Sequence, residues 1–241
     1  MSDMGRLKVN WGTEMSPSRE QNQDAVRIYQ EQRQVAESRR GMMLALADGM
    51  GGHRGGADAA QMAVDQMWLF YQLPARVFNA RKTLHELFER ANQSLRKMGE
   101  ESEQHRRMGS TLSILLFDHS VEHFLAMHVG DSPIFQFRDG HVRALSREHV
   151  SADSQRLTQR LGQKGLVEPH VTTGKVVTGD RFVLLSDGIW TVEERESWLE
   201  GMSAHHSASA IVESLMEKVR LQGKDNGTII VADVEESPEA P

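Results

Sequence analysis

Gly41-Met-Met-Leu-Ala-Leu-Ala47 runs without a break into Asp48-Gly-Met-Gly-Gly-His53. The first segment is apolar, short, and stops abruptly at a carboxylate; its length suits a buried strand better than a helix. A glycine-rich stretch, Gly49 to Gly56, follows. Beyond it, Ala60, Ala63, Val64, Met67, Trp68 and Tyr71 recur at the spacing of an amphipathic helix over Ala57 to Leu73, and Pro74 ends it. Strand, acidic turn and helix therefore come in immediate succession.

Upstream, Leu7 to Thr13 and Val26 to Val35 read as strands. Downstream, a second helix is expected from about Arg81 to Glu103. The period then changes: Ser110 to Phe117, Glu122 to His128 and Pro133 to Phe137 look like successive strands. Asp139-Gly140 is a hairpin turn signal between Phe137 and His141. Val171 to Val177 and Arg181 to Leu185 read as a strand pair joined by a turn at Thr178 to Asp180. Ser207 to Leu221 reads as a helix and Thr228 to Val234 as a final strand. Runs of strands with a helix pair inserted together point to a layered α+β fold, without βαβ alternation. One domain over residues 1–234 is expected, with a polar and disordered tail at 235–241.

Composition narrows the function. The 241 residues are 39% hydrophobic, enough for a core in one compact domain. The formal charge of −6 argues against a general nucleic-acid binder, which carries a basic patch. The absence of cysteine excludes disulfides, zinc-thiolate sites and cysteine nucleophiles. The N-terminal sequence has no apolar core of a secretory signal, and no apolar run approaches the ~20 residues of a membrane helix. A cytoplasmic protein without membrane or nucleic-acid partners is expected.

The chemistry sits where strands end. Asp48 follows Leu-Ala-Leu-Ala, Asp131 follows His-Val-Gly, Asp187 follows Phe-Val-Leu-Leu-Ser, and Asp225 precedes the last strand. Any one of these could be a turn aspartate, as Asp139 is. Together on one edge of paired strands, four carboxylates could not all stay ionised without cations. Their oxygens select hard cations such as Mg²⁺ or Mn²⁺.

Seven motifs in order carry a family resemblance from Arg19 to Val234: Arg19-Glu-Gln-Asn22-Gln23-Asp24, Asp48-Gly-Met-Gly-Gly-His53, Met108-Gly-Ser-Thr111, Val129-Gly-Asp131-Ser132, Leu145-Ser-Arg-Glu-His149, Ser186-Asp187-Gly188 and Asp225-Asn226. The chain resembles the metal-dependent protein phosphatases of type 2C, in their short stand-alone bacterial form. That resemblance implies a four-layer α-β-β-α sandwich, with two antiparallel sheets, helix pairs outside, and the metal site at one edge. It implies hydrolysis of phosphoserine and phosphothreonine with two Mn²⁺ or Mg²⁺ ions, plus a third, weaker one.

Carried over residue by residue, the resemblance makes Asp48 the carboxylate bridging two ions and gives the Gly49 carbonyl to the second. Asp187 and Asp225 would hold the first, with Asp24 in the outer shell and Asp131 at the third. Asp131 also reads as a loop aspartate bonding its own backbone. Arg19 would grip the substrate phosphate with its planar fork. Asn226 would position Asp225, and Ser110 and Thr111 would support the site from a buried strand. A water activated by the ions would attack phosphorus without a protein nucleophile.

Departures from the family pattern stand at four places. Met50 occupies the position of a histidine suspected of protonating the leaving group in eukaryotic relatives, and His53 reads as a brace of the loop. Gln23 replaces a common Glu, which predicts weaker binding of the second ion. Pro133 replaces an Arg. Only Val150 to Gln155 separates His149 from Arg156-Leu-Thr-Gln-Arg-Leu-Gly162, so a mobile flap of the family looks nearly deleted, predicting an open site and broad peptide tolerance.

Four readings follow. They are an active phosphoprotein phosphatase, a pseudophosphatase that binds phosphoproteins, a metal enzyme on other phosphate esters, and a structural domain whose Asp-Gly pairs are turns. Relatives of the bacterial form reverse a partner serine/threonine kinase, and some operate in type VI secretion. Phosphorylated proteins and a cognate kinase are therefore the expected partners. The sequence shows neither a heptad nor an apolar stripe that would set an oligomeric state.

Overall fold

The computed structural model describes residues 6–30, 40–51, 53–73, 79–101, 103–105, 108–154, 156–202 and 207–236, apart from the side chains of 53, 54 and 104. Eleven strands and five α-helices alternate unevenly along these residues. They are β1 (Leu7–Glu14), β2 (Asp24–Gln30), β3 (Met42–Met50), α1 (His53–Gln66), α2 (Leu69–Gln72), α3 (Ala80–Glu101), β4 (Gly109–Ser110) and β5 (Leu112–Phe117). Then come β6 (His123–Val129), β7 (Ile134–Arg138), β8 (His141–Ala144), β9 (His170–Lys175), β10 (Arg181–Leu185), α4 (Arg195–Gly201), α5 (Ala208–Gln222) and β11 (Gly227–Val234).

The strands form two sheets, ordered β1-β11-β10-β7-β8 and β2-β3-β5-β6-β9, with β4 pairing β3. The pairings between these strands are antiparallel. Side-chain alternation explains why β3 is apolar throughout. Met42, Leu44 and Leu46 meet Phe182, Leu184 and Ile230 of the other sheet, while Met43, Ala45 and Ala47 pack under α1 and α3. In β11, Ile230 and Ala232 face the inter-sheet core, and Ile229 and Val231 face α5. Both faces of both sheets are thus covered, giving the expected four layers. Phe182 sits edge-on to Phe117 and Phe124 between the sheets, at centroid distances of 5.1 and 5.2 Å. Removing such a ring costs about 3–5 kcal/mol.

Helix ends follow local chemistry. Ser207 caps α5 by accepting the Ala210 N–H at 3.3 Å, and the Gly223 N–H closes the helix on Val219 O at 2.9 Å. Asp139 and Gly140 both have positive φ, 50° and 76°, the backbone of a tight hairpin between β7 and β8.

Three expectations are corrected. Val171–Val177 and Arg181–Leu185 do not pair: β9 adds to β6 in one sheet, and β10 lies between β7 and β11 in the other. The turn between them is a crossing. Its fixed point is Asp180, whose buried carboxylate takes the Val177 N–H at 2.9 Å and pairs with Arg138 Nε at 2.5 Å. Secondly, the helix of residues 57–73 breaks into α1 and α2 at Met67-Trp68. Thirdly, α1 starts at His53, so the glycine-rich stretch includes its first turn. Glycine at 56 lets that turn press against the Gln23 side chain, and glycine at 49 lets β3 press against the Gly56 carbonyl, where a Cβ would collide. The strand expected to reach Val35 is seen to Gln30, and residues 31–39 lie outside the described residues, as do Pro74, His205 and His206. No helix among the described residues is long and apolar enough to cross a membrane.

Candidate active site

The crossings between sheets build the site. β1 ends in one sheet and β2 begins in the other at Asp24; β6 leaves one sheet and β7 enters the other through Gly130-Asp131-Ser132. β3 ends near Asp48, β10 ends just before Asp187, and β11 starts just after Asp225. All of these ends lie on one edge of the sandwich, so Asp24, Asp48, Asp131, Asp187 and Asp225 act on one another. Each of the aspartates singled out in the sequence is in this group.

Asp48 stands directly across the ladder from Asp24. Its main chain is bound on the other side: the Asp48 N–H donates to Thr111 Oγ1 at 2.9 Å, and its carbonyl accepts from Ser110 Oγ at 3.0 Å and Thr111 N at 2.9 Å. Ser132 Oγ lies 2.8 Å from Thr111 Oγ1. The Met108-Gly-Ser-Thr111 motif therefore supports Asp48 by its backbone, as expected. Gly49 is locked against Gly56, where any Cβ would overlap the Gly56 carbonyl oxygen, and its N–H bonds Gln23 O at 3.0 Å. Gly188 similarly lies against the Asn226 carbonyl. Asn226 ties its loop to Gln21 O at 3.0 Å, and its N–H donates to Asp225 Oδ1 at 2.8 Å.

Crowding shifts the carboxyls. Burial pushes Asp24 up to about 7, against the pull of hydrogen bonds from Thr228 Oγ1 and Ser186 Oγ, each 2.7 Å from Oδ2. Burial raises Asp48 well above the ordinary carboxylate range, helped by Asp24, Asp187 and Asp131. Asp187 is open to solvent on one side, yet desolvation of its carboxyl and the nearby Asp225 raise it too. The hydrogen bond between the two raises Asp48 and lowers Asp187. Burial lifts Asp131 to about 6, with Asp187 and Glu148 adding to it. Arg19 pairs with Asp225 and stabilises the charge on Asp187.

The donor set consists of carboxylate and carbonyl oxygens, with too much negative charge for its volume, and that suits hard divalent cations. Among the described residues, no three Asp, Glu or His side chains already surround one point as ligands. Asp48 is turned to Asp187 and Asp225 to Arg19, so loading would exchange a proton and a guanidinium for metal ions.

Sequence reasoning missed Ser186 and Thr228 as the hydroxyls on Asp24, although Ser186 stood inside a quoted motif. It also gave no role to Glu148, which pairs with Arg195 and whose charge reaches Asp131 and Asp187. The Gln23 side chain lies against the Gly56 backbone. The hairpin at 149–158 is short, with Thr158 N on His149 O at 2.7 Å and Ser151 N on Arg156 O at 2.9 Å. Its described hydrogen bonds do not reach Asp48, Asp187 or Asp225. The side chain of His53 lies outside the described residues.

The two-sheet sandwich has helices outside and its carboxylate cluster at one edge. The chain belongs to the protein phosphatase 2C family, whose sequence pattern matches residues 11–223. It is 31% identical to protein phosphatase PhpP of Streptococcus pneumoniae over 205 residues, 76% of this chain and 79% of that one. Among solved structures it resembles the catalytic domain of the serine/threonine phosphatase PstP in complex with two manganese ions. The TM-score is 0.77 at 26% identity, covering 95% of this chain and 99% of that domain. It also resembles PppA, described as a key regulatory component of the type VI secretion system in Pseudomonas aeruginosa. There the TM-score is 0.72 at 25% identity, covering 94% of this chain and 97% of PppA.

Proposed function

We propose that this chain removes phosphate from phosphoserine and phosphothreonine in proteins, with two Mn²⁺ or Mg²⁺ ions held at the edge of the sandwich. The observation that carries it is the convergence of Asp24, Asp48, Asp187 and Asp225 from both sheets, with Arg19 beside them. Asp48 would bridge the ions, Asp187 and Asp225 would hold one, the Gly49 carbonyl the other, and Asp131 a third. The ions supply Lewis acidity and a water activated near neutral pH. Asp24, fixed by Ser186 and Thr228, orients water from the outer shell. Arg19, exposed at the rim, moves from Asp225 to the substrate phosphate and holds it in line. No side chain acts as a nucleophile.

Residues 1–234 act as one catalytic unit in this reading, in the cytoplasm, opposing a bacterial serine/threonine kinase and acting on that kinase or its targets. The retention of Asp48, Asp187 and Asp225 favours an active enzyme over a pseudophosphatase that binds phosphoproteins. Hydrolysis of a phosphothreonine peptide with Mn²⁺, with EDTA, and by Asp187→Asn tests this. Turnover is expected only for the wild type with metal. Cation binding without turnover would leave the pseudophosphatase reading, and faster turnover of phosphodiesters would shift the substrate class.

A further inference from the structure

The loop between β8 and β9 brings an arginine to the same sheet face as Asp48. In the β3–β4 ladder, Gly49 opposes Ser110 and Met50 opposes Gly109. Opposed residues of an antiparallel pair share a face, as do alternate residues along a strand. Asp48, Met50 and Gly109 therefore share the face between the sheets, on which Leu44 and Leu46 also lie. Leu161 extends this pairing by one rung: its N–H donates to Ser110 O at 2.8 Å, and its carbonyl accepts the Ser110 N–H at 3.2 Å. The Leu161 side chain is buried in the core beneath α3. Arg160, its neighbour, consequently points the other way, and its guanidinium lies across Gly109, where any Cβ would collide with it. Glycine in the Met108-Gly109 motif is what makes room for that arginine.

Arg160 also borders a cleft of about 720 Å³ lined by the end of α3 and by Gly162 to Lys164. Charges there are largely matched. Arg96 pairs with Glu100 at 3.7 Å and Glu101 with Lys97 at 3.8 Å, and Glu103 has a partner as well. Arg160 and Lys164 have neither an ion pair nor a side-chain hydrogen bond among the described residues. These two are therefore the basic groups of the cleft left open to an anionic ligand. The loop that carries it is held firmly: Asn92 Nδ2 donates to Gly165 O at 3.0 Å, Asn92 Oδ1 accepts the Gly162 N–H at 2.8 Å, and Glu89 Oε2 accepts the Val167 N–H at 3.1 Å.

We propose that Arg160, with Lys164 in the same cleft, selects phosphoproteins that carry an acidic side chain close to the phosphorylated residue. Thr111 N bonds Asp48 O at 2.9 Å, and Gly109 is two residues away along the strand. Two strand residues span about 7 Å, so an extended substrate reaches Arg160 about two to four residues from its phosphate. An unpaired guanidinium accepts a carboxylate bidentately. This rests on the phosphatase reading above, and it narrows the broad peptide tolerance expected from the short loop.

The test compares two phosphothreonine peptides that differ only in flanking Glu or Gln, with p-nitrophenyl phosphate as a third substrate of the wild type. The wild type should favour the acidic peptide in kcat/KM by about 3- to 10-fold, mainly through KM, and added salt should erode the preference. Arg160→Ala should bring the ratio to about one, Arg160→Lys should keep part of it, and Arg160→Glu should invert it. A wild-type ratio near one would overturn the proposal, as would an unchanged ratio in Arg160→Ala or an equal fall on both peptides. If the wild type turns over none of the three substrates with Mn²⁺, the phosphatase reading itself fails, and this proposal with it.

Discussion

Asp24 and Asp48 are direct cross-strand partners at the end of the β2–β3 ladder, two carboxyls placed where like charges repel. The fold sustains this arrangement by holding the Asp48 pKa well above 3.8, through burial first and its acidic neighbours second, which favours a proton there. The unfolded chain releases that proton at neutral pH. Stability of the metal-free protein therefore falls as pH rises from about 4 through the folded-state pKa.

Asp48→Asn is neutral without taking up a proton on folding and can still donate to Asp187. It should raise the melting temperature of the EDTA-treated protein at pH 7 by about 2–4 °C for each kcal/mol relieved. Added Mn²⁺ should stabilise the wild type and leave the variant nearly unmoved. Thermal melts with EDTA and with Mn²⁺ check both halves.

Arg19→Ala should raise KM for a phosphopeptide about 10- to 100-fold, the loss of about 1.5–3 kcal/mol of charged hydrogen bonding. The effect on kcat should be smaller. Because Arg19 now faces Asp225, the same variant should bind Mn²⁺ at least as tightly as the wild type, measured by titration calorimetry.

Ser186→Ala and Thr228→Val each remove a hydroxyl that stabilises ionised Asp24. In the metal-free protein, the Asp24 titration should move upward from about 7 in either variant, and further in the double variant. Carboxyl-carbon NMR gives the midpoints; a downward shift would contradict the hydrogen-bond assignment.

His128 is buried beside His149, their rings stacked at 5.5 Å, and burial lowers it to about 3, with His149 and His170 adding to the effect. Its Nε2 lies 2.8 Å from the Gly130 carbonyl and its Nδ1 2.8 Å from Ser113 Oγ. A histidine held neutral lends stability that is complete above about 6.5 and drains away as pH falls toward 3. His128→Gln should flatten the stability–pH curve over that window in chemical denaturation, with some cost at pH 7 from poorer packing.

Much of the site was legible because its chemistry is local. An apolar strand that stops at Asp48, and an aspartate bracketed by serine and glycine at 187, announce themselves by side-chain type and neighbours. The hairpin at Asp139-Gly140 was legible for the same reason, since its backbone needs residues that tolerate positive φ. The hydroxyls on Asp24 were not: Ser186 and Thr228 lie 162 and 204 residues away, and nothing near Asp24 records them. Arg160 reads as one more loop arginine until Leu161 is seen paired with Ser110.

The sequence by itself determined the family, the oxygen-donor character of the site and the strands on which its carboxylates sit, because these depend on residue identity and short-range periodicity. Only the tertiary structure decided which sheet each strand joins. β9 and β10 look like one hairpin and separate into two sheets, since Asp180 and Arg138 fix a crossing that periodicity cannot register. Those crossings bring Asp24, Asp131, Asp187 and Asp225 to one edge. Burial at that edge, with like charges close by, then raises the pKa values of Asp24, Asp131 and Asp187.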